Sequence, residues 1–324
     1  MTTISRKFLF LFFLSCIFPL ALLYGETPGT VKNSFSISVE TGISGGETDE
    51  IVNENGNLLS LLEWKEALNP FIHTTFGWEY FFKAPEKGPS FFAELGLKAV
   101  LPVISGFITD YDYSSDGSIN GYSLHNSKSE KNIEGSLSAG INLPLGNFEL
   151  SGALGFFYRT KFFRGLNGYT QYPANGEAWT GNEDKNYVSG TILSYHQDYY
   201  LPALILEGVY IFTDNISTGI SGIYYPYGFM NGVDSHHLRN IEFYDYVRAV
   251  MGVKAGLFFN LSFSGNKNRM FSNIALVFNY EFLYGGQGTN YQKYTGDYSG
   301  EAVLIPGVTP QTKSCSWSLS LKYF

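Results

Sequence analysis

The stretch Ser34-Phe35-Ser36-Ile37-Ser38-Val39-Glu40 decides the fold. Phe35, Ile37 and Val39 alternate with serine and glutamate. A period of two places successive side chains on opposite faces of an extended chain, so the stretch reads as a strand with one apolar and one polar face. The run extends over 34–52 and meets Asn53-Glu54-Asn55-Gly56, whose Asn-Gly pair is a tight hairpin signal. A second run, 58–82, follows through Trp64 and Trp78.

The pattern recurs in runs 91–107, 133–141, 148–163, 187–212, 216–229, 243–263, 271–284 and 312–324, ten in all. Short connections at 83–89, 144–147, 213–215 and 264–269 alternate with long polar ones at 110–129, 164–186, 230–240 and 285–311. An even number of antiparallel strands joined in that way is the pattern of an outer-membrane barrel. The expected fold is all-β, a ten-stranded antiparallel transmembrane β-barrel. Several runs exceed the roughly 9–11 residues that cross a bilayer, so the strands are expected to extend beyond the membrane on the long-loop side. A soluble β-sandwich is the competing reading, and the strand lengths oppose it.

Composition points the same way. The 324 residues are 17% aromatic and only 15% charged, with 24 Tyr, 28 Phe and 36 Gly, and the mean hydropathy is −0.05. That balance suits strands with one lipid-facing side rather than a cytosolic enzyme. Residues 1–25 read as a cleaved export signal, with Arg6 and Lys7 ahead of an apolar core and Gly25 at the cleavage position. Cys16 lies within that core, and the apolar run continues to Leu23, which argues against lipoprotein processing. The remainder, 26–324, reads as one domain without repeat or linker. It keeps only Cys315, so no intrachain disulfide or cysteine metal site is expected. Without Arg6 and Lys7 the formal charge falls from −8 to about −10, which argues against nucleic acid as a partner. The last residue, Phe324, is out of step with the apolar phase of Trp317, Leu319, Leu321 and Tyr323.

Two polar triplets sit just beyond apolar runs, Asp110-Tyr111-Asp112 and Asp234-Ser235-His236. Residues i and i+2 share one face of an extended chain, roughly 6.5–7 Å apart. Two carboxylates so placed could hold a water, and a carboxylate beside an imidazole could orient it as a general base. Such triplets in loops are also common as solvated turn residues. In a ten-stranded barrel these two fall on opposing walls of the outer mouth.

The chain resembles the omptins, aspartate/histidine proteases of Gram-negative outer membranes. Gly42-Ile-Ser-Gly-Gly46-Glu-Thr48-Asp-Glu50-Ile-Val52 and Ser60-Leu-Leu-Glu-Trp64-Lys65 are similar to two early omptin motifs. Asp110-Tyr-Asp112-Tyr113, Ser123-Leu-His125, Tyr195-His-Gln197-Asp-Tyr199-Tyr-Leu-Pro202, Asp234-Ser-His236 and Leu321-Lys-Tyr-Phe324 resemble later ones in the same order. The resemblance implies an endopeptidase in the outer membrane, its site on the extracellular side, acting on polypeptides at the cell surface. Asp110 and Asp112 would polarise a water, and His236 would take its proton with Asp234 holding the ring. Glu50, Ser123 and His125 would line the substrate. A serine nucleophile at Ser123 is the rival use of that residue, His237 the rival to His236, and a hard cation among the four acid–base residues the rival cofactor. No metal or cofactor is expected, and lipopolysaccharide or another outer-membrane lipid is the expected activator of a monomer. Two positions depart from the family: Gly232 stands where a second substrate-binding acid aligns, and Asp198 where a lipid-binding basic residue does. An altered preference at the cut and a different lipid dependence are therefore expected. The alternative is a surface adhesin or structural barrel of the same ancestry, and a passive pore is a third reading that a narrow, filled barrel opposes.

Overall fold

The computed structural model describes residues 33–82, 88–174, 177–263, 273–295 and 300–324. The expected export signal at 1–25, most of the expected turn at 83–89 and all of that at 264–269 lie outside them. Thirteen antiparallel strands share one sheet: β1 (Asn33–Glu54), β2 (Asn57–Phe81), β3 (Ser90–Val100), β4 (Val103–Tyr113), β5 (Ile119–Leu145), β6 (Phe148–Gln171) and β7 (Asn186–Thr213), followed by β8 (Ile216–His236), β9 (Ile241–Ser262), β10 (Asn273–Gly285), β11 (Thr289–Tyr294), β12 (Val303–Leu304) and β13 (Val308–Tyr323). β13 pairs with β1 from Val39↔Tyr323 to Glu54↔Val308, which closes the sheet on itself. β3 and β4 both lie between β2 and β5 as lower and upper halves of one stave. β11 and β12 extend the rim beside β9, so ten staves make the ring.

Alternation along each stave sorts the side chains. Phe76, Leu97, Leu154, Leu206, Ile220, Leu257 and Leu276 are exposed on the outside, forming the band that meets lipid. Their neighbours turn into the lumen, which is packed. Phe157, Tyr199, Leu201, Tyr225, Met230, Val247 and Leu283 form one buried cluster. Beside it Arg159 is buried between two acids, its Nε donating to Glu134 Oε2 at 2.7 Å and its Nη2 to Glu281 Oε2 at 3.0 Å. Tyr225 donates its hydroxyl to the same Glu281 oxygen at 3.2 Å. Toward the short-turn end the lumen opens into a cavity of about 490 Å³ lined by Glu40, His73, Glu207, Lys254 and Lys322 among others. Phe324 lines it too, whereas Leu319 and Leu321 face outward, so the last residue is indeed out of phase.

The run expected as one strand at 91–107 breaks at Leu101-Pro102 and bulges between Ile104 and Phe107. Proline carries no N–H for the ladder, which suits a break. In the bulge Gly106 has φ 92°, and a Cβ there would lie 1.8 Å from the Lys65 carbonyl oxygen. Ser105 Oγ accepts the N–H groups of Ala67 and Leu68, each at 2.9 Å, and ties the bulge to β2. Gly106→Ala is expected to lower barrel stability by about 1–3 kcal/mol from the backbone alone. Urea unfolding followed by the loss of the compact, heat-modifiable electrophoretic band would measure it, and an unshifted midpoint would contradict the strained reading.

Two of the long connections, 110–129 and 230–240, are largely strand and the other two are so in part, which corrects the expected loops. β4 runs to Tyr113 and β5 resumes at Ile119, so little of 110–129 is loop. β6 continues to Gln171 and β8 to His236, and β11, β12 and the start of β13 occupy much of 285–311. Above the lipid band both faces of a stave become polar, as at Ser127, Lys128, Ser129 and Glu130, so the alternation that marks a strand disappears while the backbone ladder persists.

Candidate active site

Asp110 and Asp112 stand on the upper stave β4, opposite Leu62 and Ser60 of β2 and Ser123 and Gly121 of β5. Asp234 and His236 stand on β8, opposite Tyr195 and Leu193 of β7. In the ring these are the third and seventh staves, so the two pairs occupy facing walls of the mouth as expected, but on strands rather than in loops. Beneath them Leu62, Trp64, Ile108, Phe163, Leu193 and Tyr195 pack into a buried floor, with the Trp64 and Phe163 rings stacked at 5.4 Å. A floor of packed rings fixes the staves that carry the polar groups and lowers the local dielectric.

His236 Nε2 lies 2.6 Å from Asp234 Oδ2, and Phe243 meets the imidazole edge-on at 5.5 Å. Asp234 is buried and its other oxygen, Oδ1, has no hydrogen-bond partner among the described residues. Burial opposes a charged ring, yet the Asp234 charge and hydrogen bond, helped by Asp110, push the His236 pKa up to about 9. Across the mouth, burial and the adjacent Asp112 charge raise Asp110 to about 7, while His236 and Arg239 pull it back. Ser60 Oγ donates to Asp110 Oδ1 at 3.5 Å. Asp234→Asn is expected to drop the His236 midpoint by roughly 1–2 units, read from its ring protons by NMR. An unchanged midpoint would show that the dyad does not set the proton affinity of the ring.

Glu50, on β1 between Leu62 and Thr312, is buried in the lumen, and burial together with the charges of Asp234, Asp245 and Asp110 holds its carboxyl well above the usual range. Ser123 and His125 are buried on β5 next to Asp110, with His125 Nε2 3.0 Å from Ser123 Oγ. The other ring nitrogen, Nδ1, faces the Asn167 carbonyl oxygen, so Nδ1 donates there and Nε2 accepts from the serine. An uncharged carbonyl thus stands where a serine nucleophile's histidine would have an orienting acid. His237 turns away and meets Ser194 Oγ at 3.0 Å. Asp198 faces outward, accepting from Tyr158 Oη at 2.9 Å and standing 3.4 Å from His196 Nε2. Among the described residues the group of three carboxylates whose oxygens lie within 4.8 Å of one another is Glu47, Asp49 and Glu63, which includes none of the four acid–base residues.

Three participants had no motif to announce them. Arg239, in the turn after His236, brings Nη2 to 3.9 Å from Asp112 Oδ2 and to 3.3 Å from the Tyr172 hydroxyl. Asp245 is fully buried on β9, directly opposite Gly232, and Asn290 Nδ2 of β11 donates to its Oδ1 at 2.6 Å. The available signal for Asp245 was its shared phase with Val247 on an aromatic-rich strand, which places a carboxylate inward.

Fold and site together define an outer-membrane β-barrel whose protruding mouth carries an acid couple facing an acid–imidazole dyad. The chain belongs to the omptin family, whose profile it matches over residues 31–300. It is similar in fold to the outer membrane protease OmpT from Escherichia coli, at 17% identity and a TM-score of 0.72 over 92% of this chain and 97% of that one. Other barrels align with far lower agreement: OprG from Pseudomonas aeruginosa at 9% identity and TM-score 0.28, over 89% of this chain and 94% of that one, and the Pseudomonas putida toluene transporter TodX at 10% and 0.29, over 89% of each. A comparison with curated protein sequences returned no match.

Proposed function

We propose that the chain is an endopeptidase that hydrolyses polypeptides at the cell surface with an activated water. Membership of the omptin family supports an outer-membrane protease. The observation that carries the mechanism is the 2.6 Å contact between His236 and the buried Asp234, on the wall across from a half-buried Asp110 beside Asp112. In this reading Asp110 and Asp112 orient and polarise the water from one wall. His236 accepts its proton from the other, and Asp234 stabilises the imidazolium that forms. The water attacks the peptide carbonyl directly, with no covalent enzyme intermediate, and the proton on His236 passes to the leaving amine. Glu50, Ser123 and His125 line the substrate path. An outer-membrane lipid such as lipopolysaccharide acts as activator, with Lys128 and Arg164 around Glu130 offering the outward-facing cations.

The test is a mixed peptide library incubated with refolded protein, with and without lipopolysaccharide, and analysed by mass spectrometry for internal cuts. Discrete internal cleavage supports the reading. Inert protein under both conditions would replace it with a surface-binding role for the same barrel.

A further inference from the structure

We propose that Arg239 is a positioning residue for the mouth: from the turn behind His236 it reaches across to Asp112 on the facing wall, holds that carboxylate in place and supplies the positive charge that an otherwise acidic centre lacks. Its part in catalysis rests on the peptidase reading, whereas its reach and its charge do not. Arg239 lies in the turn between β8 and β9, and its backbone N–H donates to the His236 carbonyl oxygen at 3.1 Å. The side chain leaves that wall. Its Nη2 stands 3.9 Å from Asp112 Oδ2 on β4 and donates at 3.3 Å to the hydroxyl of Tyr172, just past the end of β6. One residue therefore joins the third stave, the fifth and the turn after the seventh. The short turn fixes its base and the Tyr172 hydroxyl gives the head group a second anchor, so the guanidinium is kept beside the acid couple.

The charge acts on both walls at once. Burial weighs most on Asp110 and favours its protonated form, and Asp112 and Asp234 add to it, whereas His236 and Arg239 favour the ionised form. Glu50 on β1 is near enough to feel Asp110 and Asp234 as well, so the surroundings are acidic. Burial also weighs most on His236 and favours the neutral ring, and Arg239 adds to it, against Asp234 and Asp110. Arg239 thus favours an ionised acid on one wall and a neutral imidazole on the other, which are the two states a centre that takes a proton from water needs. His236 cannot supply this balance itself. Its own charge is gone in the state that accepts the proton, while a guanidinium keeps its charge at any working pH. Arg239 is half-exposed, and an exposed ion pair of this kind adds little to stability. What it alters is the proton affinity of the less exposed groups beside it.

The experiment compares refolded wild type with Arg239→Gln and Arg239→Lys. The His236 midpoint, read from its ring protons by NMR, is expected to rise by roughly 0.5–1 unit in Arg239→Gln and to stay near the wild-type value in Arg239→Lys. The gap between wild type and Arg239→Gln is expected to shrink at about 1 M salt, where charges are screened beyond about 3 Å, a change that a purely structural role would not show. On a cleavable peptide the rise of kcat/KM with pH moves up by the same amount in Arg239→Gln. The loss is then roughly 3- to 10-fold near neutrality and nearly vanishes at high pH, since one unit is a factor of about ten. Equal midpoints in wild type and Arg239→Gln, or a gap that salt leaves unchanged, overturn the assignment and leave the peptidase standing. If wild type cuts no peptide, the peptidase reading fails, and the midpoints alone decide whether Arg239 sets the charge of the mouth.

Discussion

Replacing His236 with alanine is expected to lower kcat/KM on a cleavable peptide by about 100- to 10,000-fold, the usual contribution of a positioned general base. Asp112→Ala is expected to fall in the same range, and the double variant to be scarcely worse than either, because groups that act on one water fail together. Cleavage as fast as wild type in either single variant would sink the assignment. The pH dependence follows from the same groups. With the Asp110 pKa raised to about 7 and that of His236 to about 9, the resting protein near neutrality is expected to hold a charged imidazole opposite a partly protonated Asp110. A base must be free of its proton, so kcat/KM is expected to rise with pH from about 7 toward 9, as a property of the coupled groups. Asp234→Asn lowers the His236 midpoint, and the rise should move to lower pH while its plateau drops.

The largest expected effect on stability is that of Arg159→Met. Arg159 is enclosed between Glu134 and Glu281. Removing it leaves the buried Glu281 and the largely buried Glu134 without their shared partner, a loss of about 3–5 kcal/mol for a broken buried pair. The urea midpoint of the refolded barrel measures this. Adding Glu134→Gln and Glu281→Gln to Arg159→Met removes the unpaired charges and should recover much of the loss. If the single variant is as stable as wild type, the cluster contributes no net support to the lumen.

The lipid-facing half of this fold was legible because water and lipid impose opposite demands on the two faces of a strand. Phe35, Ile37 and Val39 record that demand residue by residue. Higher up, water lies on both sides of the wall and the record stops, which is why 110–129 and 230–240 read as loops although Asp110, Asp112, Asp234 and His236 stand on strands. Their spacing of two was still informative, since it holds for any extended backbone. Asp245 was legible only as an inward carboxylate, by its phase with Val247. Its importance depends on its register with Gly232, a long-range pairing that no local pattern encodes. Arg239 reached Asp112 through a turn whose direction only the assembled wall defines.

The closing seam between β1 and β13 has a consequence for the life history of the chain. Glu50 comes from β1, Asp110 from β4, Asp234 and His236 from β8, and Asp245 from β9, so no contiguous fragment owns the centre. A chain in transit, its first and last strands not yet joined, has the reactive groups but not their arrangement. If these residues form one centre, closing the seam between β1 and β13 is the step that assembles it, so folding and competence are expected to arrive together.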